Sequence, residues 1–326
     1  MQKEANMAFP RLLKTLAGAA AITVSLLLVP AANAEFPEKG LTLIVAYGAG
    51  GGTDVTARLL AKDLEKTLGQ SVTVQNITGG GGWNGWGSIA AAKPDGYTIG
   101  YINIPNMYAG YLNPKIGRKE SLESFTTLMN HVTDYCIWAV KSDSPFKNVK
   151  DLINAAKKNP ETISITAHGF GNDDHLAILA MQDATGTKFK VVHNKSTAKS
   201  KAQVLGGHVD VVGGNVSEVA NELKEGNLRV LGVMAPNRSK FLPGVPTFKE
   251  QGYNQEWSVS RGIAGPAGLP ENIKNKLLTA LERTISSKEH RAKAEKLSLA
   301  PEITKGEAYR KFLKETEQKI KKLMGW

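Results

Sequence analysis

The chain has 326 residues, 41% of them hydrophobic, a single cysteine and a formal charge of +11. That much apolar sequence can build a core unaided, and the lone Cys136 excludes both an intramolecular disulfide and a cysteine-based zinc cluster. The charge does not point to nucleic acid: residues 271–326 hold fourteen Lys/Arg against eight Asp/Glu, and Lys and Glu interleave from Lys305 to Lys322 as on a solvated helix face.

Lys3, Arg11 and Lys14 precede an apolar run from Ala19 to Val29 that leads into Ala32-Asn33-Ala34. This is the layout of a secretory signal peptide, with cleavage predicted after Ala34 and the mature protein in the periplasm. The run is shorter than the ~20 apolar residues of a transmembrane helix; an uncleaved N-terminal anchor is the competing reading. Cys136 lies far from the cleavage site, so no lipid-modified N-terminal cysteine is expected. About 290 residues remain, two domains' worth at ~100–200 residues each.

Leu41 to Ala46 predicts a strand, Gly48 to Gly52 a tight loop, and Thr53-Asp54 the start of a helix with Val55, Leu59, Leu60 and Leu64 at helical spacing. The pattern repeats: strand Ser71 to Gln75, loop Thr78 to Gly82, helix Asn84 to Ala92, then a turn at Lys93 to Gly96 and strand Tyr97 to Ile102. Two β-loop-α units with short connections imply a mainly parallel, helix-flanked sheet.

A second set begins with strand Cys136 to Val140 and helix Val149 to Lys158. Strand Thr162 to Thr166, loop His168 to Gly171 and a helix from Asp173 to Thr185 follow, with Leu176, Leu179 and Ala180 inward. Lys190 to Val192, Val209 to Val212 and Val230 to Val233 predict further strands. Ser260 to Ala264 would carry the chain back to the first lobe, and residues 271–326 would cover it as helices. The expected architecture is α/β with two lobes: residues 35–136 plus 260–326, and residues 137–259, crossing near 134–138 and 255–264.

A loop that leaves a parallel strand and enters a helix turns backbone N–H groups and the positive helix end toward the strand's C-terminal edge, where an anion is favoured. This arrangement occurs at Gly48 to Asp54, Thr78 to Trp86 and His168 to Asp174. The first is not a phosphate loop, because no Lys-Ser or Lys-Thr follows its glycines, and Gly48-x-Gly50-x-x-Thr53 lacks the third glycine of a dinucleotide fingerprint. No cofactor is expected. Asp54, Asp173 and Asp174, at helix starts, read as caps or dipole partners. No Gly-x-Ser-x-Gly or His-Glu-x-x-His motif occurs and the histidines are scattered, so neither a catalytic nor a metal site is expected. Trp83, Trp86, Asn103 and Asn106 stand near C-terminal strand ends, where open α/β sheets bind ligands; the tryptophans would serve either a ligand or the core.

Val45 to Arg58 (VAYGAGGGTDVTAR), Gln75-Asn76 with glycines 79–82, Lys93 to Ile99 (KPDGYTI), Gly169-x-Gly171 with His175-Leu176, Gly206 to Asp210 (GGHVD), Arg238, Leu242 to Thr247 (LPGVPT) and Gly265 to Pro270 (GPAGLP) follow one another in an order and spacing that resembles the substrate-binding proteins of tripartite tricarboxylate transporters, the TctC or Bug family. The resemblance covers essentially the whole mature chain. It implies a type II periplasmic binding fold closing by hinge motion on a small molecule, with a carboxylate held largely by backbone amides and waters of the first-lobe loops. The matching positions are Tyr47, Gly48, Gly51, Gly52, Thr53, Asn76 and Trp83 in the first lobe, beside Asn103 and Asn106 from the strand-end reading. In the second they are His168, Gly169, Gly171, Asn172, Asp173, Lys195 and its neighbours to Thr197, and Asn215. The partners it implies are membrane permease subunits.

Two departures bear on the ligand. After Gly171 this chain has Asn172-Asp173-Asp174 where the family has small or hydroxyl residues, and His193-Asn194-Lys195-Ser196 where it has Pro-Tyr-Lys-Gly. An acidic pair beside the cleft disfavours a second ligand carboxylate, leaving an organic monoacid, an amino acid or an aromatic acid ahead of citrate-like ligands. A ligand-sensing module and a secreted enzyme on the same lobes are the alternatives to transport.

Overall fold

The computed structural model describes residues 36–194 and 196–326. The signal-peptide reading and Lys195 therefore lie outside the described residues. From Phe36 onward the chain forms one compact unit.

The elements alternate as the sequence predicts through the first half: β1 (Leu41–Val45), α1 (Gly52–Leu68), β2 (Val72–Asn76), α2 (Trp83–Ala90), β3 (Thr98–Ile104) and a short α3 (Tyr108–Leu112). Then comes β4 (Phe125–Lys141), followed by α4 (Val149–Lys158), β5 (Ser164–Ala167), α5 (Asp173–Thr185), β6 (Lys190–His193), α6 (Thr197–Leu205), β7 (Val211–Asn215), α7 (Val216–Lys224) and β8 (Leu228–Val233). β9 (Ser258–Pro266), α8 (Glu271–Ser286), α9 (Lys288–Lys296), β10 (Pro301–Lys305) and α10 (Gly306–Met324) complete it.

The strands form a mixed sheet in the order β2-β1-β3-β9-β4-β7-β5-β6, with β8 and β10 also paired to β4. β1 runs parallel to β2 and β3, and β5 parallel to β6 and β7. These are the β-loop-α units, whose crossover helices bring each strand back in the same direction. The pairings of β3 with β9, β4 with β9 and β4 with β7 are antiparallel. β4 is the strand common to both halves: it pairs with β9 from Phe125 to Tyr135, then with β7 and β8 from Cys136 to Lys141.

Three details differ from the sequence expectation. The strand read at Cys136 to Val140 is the end of a 17-residue strand, because its N-terminal part, with Asn130, His131 and Thr133, has no simple apolar alternation. Residues 301–305 form β10 against β4 rather than helix. In α1 the buried stripe runs through Thr53, Ala57, Leu60 and Leu64, with Val55 and Leu59 only half-buried.

Both faces of the central strands are covered, so β1, β3 and β9 are buried along nearly their whole length. Along β1, Leu41, Leu43 and Val45 face α1 and α8, packing with Leu60, Leu64, Leu281 and Ile285. Ile44 faces the opposite way, into a core with Trp86, Ile89, Ile102 and Tyr309. β4 alternates likewise, with Trp138 and Val140 in that core and Ile137 and Ala139 packed with Val212, Val216 and Val219. This two-sided burial fixes strand register, since a one-residue slip would exchange the two sets, and so fixes where the strand ends and their loops stand.

Candidate ligand-binding site

A cavity of about 170 Å³ lies where these ends converge. Its wall takes Tyr47, Gly48, Ala49, Gly51, Gly52 and Thr53 from the β1–α1 loop, Asn103 and Asn106 from the end of β3, and His168, Asn172 and Asp173 from the β5–α5 loop. Asn215 and Glu218 come from the β7–α7 junction, Ser196 and Thr197 from the start of α6, and Val259 and Arg261 from β9.

The β1–α1 loop is shaped by Asp54 rather than capped by it. The N-cap of α1 is Gly51, with no side-chain cap, while the Asp54 carboxylate accepts from Gly50 N (2.8 Å), Arg58 Nε (2.9 Å) and Asn76 Nδ2 (2.9 Å). Burial opposes ionisation, but these hydrogen bonds and the Arg58 charge hold Asp54 below the usual carboxylate range. Asn76 Nδ2 also reaches Tyr47 O at 2.9 Å. Asn76 thus stands behind the cavity wall, tying the end of β2 to the loop. The first N–H groups of α1 have no partner within the helix, and here no side chain replaces one, so a positive helix end opens onto the cavity at Gly51 and Gly52.

Trp83 is also absent from the wall. It is 3% exposed and donates from Nε1 to Met107 O at 3.2 Å; a Cβ on Gly110 would overlap its indole ring. Trp86 is buried against Tyr47, their rings edge to face at 5.9 Å. Both tryptophans serve the core. Gly169 and Gly171 likewise do not line the cavity: both have positive φ, and Gly171 turns the β5–α5 loop so close to Ala109 that a Cβ would overlap it.

Asn106 joins the two sides of the cavity. Its Oδ1 accepts from Asp173 N at 3.2 Å and its Nδ2 donates to Tyr47 Oη at 3.4 Å. Asp173 does not cap α5: the N-cap is Asn172, whose side chain makes no capping bond and donates to His168 O at 2.8 Å. Asp173 Oδ2 instead accepts from Asn215 Nδ2 at 2.8 Å and Cys136 Sγ at 3.4 Å. Burial and the adjacent Asp174 charge raise its pKa to about 6.

Asp174 belongs to His168. Its Oδ2 lies 2.7 Å from His168 Nδ1 and accepts from His168 N at 2.8 Å. Burial alone would favour neutral imidazole, but the Asp174 charge and hydrogen bond outweigh it and push His168 up to about 10. At neutral pH it is an imidazolium whose Nε2 has no partner among the described residues.

Arg261 is the residue that sequence reasoning missed, because one arginine inside an apolar returning strand carries no motif. It is 2% exposed, and its Nη2 pairs with Asp134 Oδ2 at 2.9 Å. Nε and Nη1 have no partner among the described residues. Asp134 is further held by Ser217, through Oγ at 2.5 Å and N at 3.2 Å. Glu218, also missed, accepts from Asn215 N through Oε2 at 3.1 Å. Arg261 lines the cavity, and buried N–H groups left without partners are costly, so its guanidinium is the strongest unspent hydrogen-bonding group at this wall. No group of His, Cys, Asp and Glu among the described residues could hold a metal ion.

The profile of the tripartite tricarboxylate transporter family receptors, TctC, matches residues 56–325. A Cupriavidus necator protein described as the UPF0065 protein in the gbd 5' region is 31% identical over 312 residues, covering 94% of each chain. The structure of a TctC solute-binding protein from Polaromonas is 29% identical, with a TM-score of 0.72, over 89% of this chain and 99% of that one. That of the periplasmic binding protein BugD is 27% identical, with a TM-score of 0.78, over 89% and 98%. Fold, glycine loop and sequence profile agree, and the chain belongs to the tripartite tricarboxylate transporter receptor family, TctC.

Proposed function

We propose that the protein is a periplasmic solute-binding protein that captures a small carboxylate-bearing molecule and passes it to the membrane permease subunits of a tripartite tricarboxylate-type transporter. Residues 35–136 with 260–326 form one lobe and 137–259 the other. The lobes hinge where β4 changes partners, between Tyr135 and Cys136. The observation that carries the ligand class is the buried Arg261 guanidinium, with Nε and Nη1 unpaired beside the open N-terminus of α1. The cavity, at about 170 Å³, is below the ~300–1,000 Å³ of sites for drug-sized ligands, which favours a molecule of a few carbons.

The chain binds without turnover in this reading. Its test is thermal unfolding of the mature protein, unfolded and refolded to remove carried ligand, against carboxylic acids and neutral sugars. A ligand at 100 times its Kd stabilises by about 2.7 kcal/mol, or roughly 2–4 °C per kcal/mol at this size. The bound acid should be recovered unchanged, and a strain lacking the protein should lose uptake of it. Stabilisation by sugars alone, or consumption of the acid, would sink the reading.

A further inference from the structure

Resting on the carboxylate-binding reading above, we propose that the preferred ligand is a small zwitterion whose protonated amine sits against Asp173 and Glu218 while its carboxylate meets Arg261.

The charges at the cavity divide into two kinds. Arg261 with Asp134, and His168 with Asp174, are ion pairs at 2.9 and 2.7 Å. Each pair is neutral overall, with Arg261 and His168 lining the cavity, and each keeps buried N–H groups without a partner among the described residues: Nε and Nη1 of Arg261, and Nε2 of His168. Such donors suit one carboxylate and no net excess of negative charge. Asp173 and Glu218 are the second kind. Both line the cavity, both accept from Asn215, and neither is paired with a cation among the described residues. Asp173 is only 3% exposed, so water does little to screen it.

Among the described residues, the site with its immediate pairs sets two cations, Arg261 and His168, against four carboxylates, those of Asp134, Asp173, Asp174 and Glu218. A dicarboxylate would bring two more negative charges into this excess, and a monoacid one more. A protonated amine supplies what Asp173 and Glu218 lack. The amide carbonyl of Asn103, buried to 2% exposure and with Oδ1 unpartnered while Nδ2 donates to Thr53 Oγ1 at 2.8 Å, offers a further acceptor for an amine N–H. Two carboxylates without a cation and a guanidinium with N–H groups left over, lining one small cavity, are complementary to a molecule carrying both charges.

The experiment is isothermal titration of the refolded mature protein with the common amino acids and 4-aminobutyrate, their des-amino monoacids, and malonate, succinate and glutarate. A zwitterion should bind at least about tenfold more tightly than its own des-amino acid and the dicarboxylate of matching length, the loss of one charged hydrogen-bond partner being of this order. Glu218→Gln and Asp173→Asn should each narrow that ratio at least fivefold; Glu218 stands on a surface helix, so the first variant reports even where the second folds poorly. Tightest binding by a monoacid or a dicarboxylate, or a ratio unmoved in Glu218→Gln, would overturn the inference and leave carboxylate binding standing. A panel in which no carboxylate binds would overturn the reading beneath it.

Discussion

Arg261 and Asp134 form an ion pair of 2.9 Å with side chains 2% and 4% exposed, linking β9 to the residue of β4 just before that strand changes partners. Such a pair is strong evidence of a role only when part of it is left over, and here Nε and Nη1 are. Arg261→Lys keeps a charge for Asp134 but loses the fork, so the fold should survive while carboxylate binding weakens by about 1.5–3 kcal/mol. Arg261→Met leaves Asp134 buried without its partner and should cost about 3–5 kcal/mol of stability. Urea unfolding and ligand titration of the two variants separate these effects; equal binding by Arg261→Lys and wild type would remove Arg261 from the site.

Gly52 is the place where the loop and the guanidinium approach most closely. A Cβ there would stand 2.5 Å from Arg261 Nη2 and 3.4 Å from Glu218 Oε1. Its φ does not demand glycine, but the methyl would press on the Nη2 that Asp134 holds, so Gly52→Ala should cost about 1–3 kcal/mol of stability. By displacing the guanidinium it should also lower affinity at least about tenfold, a 1.4 kcal/mol effect. Unchanged affinity in a titration would mean that the ligand does not use this side of the cavity.

The parts of the fold and site that were legible share a local cause. Helices over 149–158 and 173–185 and the first three strands follow from periodicity and turn residues within a few positions. The glycine loop and Asn103 could be placed at the cavity because strand ends and loops are local features. Asn76 and Trp83 are expected at the wall from the family resemblance and, for Trp83, its place near a strand end, yet the side chains turn to the loop backbone and to Met107 O. Arg261 and Glu218 escaped notice for the opposite reason. Arg261 gains its role by pairing with Asp134 on another strand far back in the chain, while the Glu218 carboxylate bonds the nearby Asn215 N and reaches the cavity through the placement of α7; no local pattern marks either.

Asp54 holds the β1–α1 loop through three hydrogen bonds while lining none of the cavity itself. Asp54→Ala would strand Gly50 N and leave Asn76 Nδ2 with Tyr47 O alone, costing about 1–3 kcal/mol, and should weaken ligand binding through loop disorder alone. Asn76→Ala breaks the links to Tyr47 O and Asp54 together and should act in the same direction, less strongly. Hydrogen exchange at residues 48–53, faster in both variants, is the readout; protection equal to wild type would show that the loop holds its shape without them.

Buried histidines give the stability curve its acid side. Tyr101 Oη, His131 Nδ1, His131 Nε2, His290 Nε2, His290 Nδ1 and Asp63 Oδ2 form a buried chain of hydrogen bonds at 2.6, 2.9 and 3.0 Å, closed at the surface by Lys293. Burial lowers the pKa of both histidines, with the neighbouring His290 and Arg261 charges adding to the effect on His131 and Asp63 opposing it on His290. Burial and His193 likewise lower His175 to about 4. In the unfolded chain each titrates near ~6.5, so as pH falls below that value the unfolded state takes up protons that the folded state refuses. Stability then drops with falling pH, for His175 by up to about 1.4 kcal/mol per pH unit between its unfolded and folded values. Asp173 and Asp134, whose folded pKa values are raised chiefly by burial, offset part of this. His168 has the opposite sign: pushed up to about 10, it contributes fully below ~6.5 and loses its contribution as pH rises toward 10. Stability should therefore peak near pH 6–7. Urea unfolding across pH 4.5–9 checks this through two variants: His175→Asn, which keeps an acceptor for Gly171 N, should flatten the acid limb by one histidine's slope, and Asp174→Asn should flatten the alkaline limb. Limbs unchanged in both variants would mean that other groups carry the pH dependence.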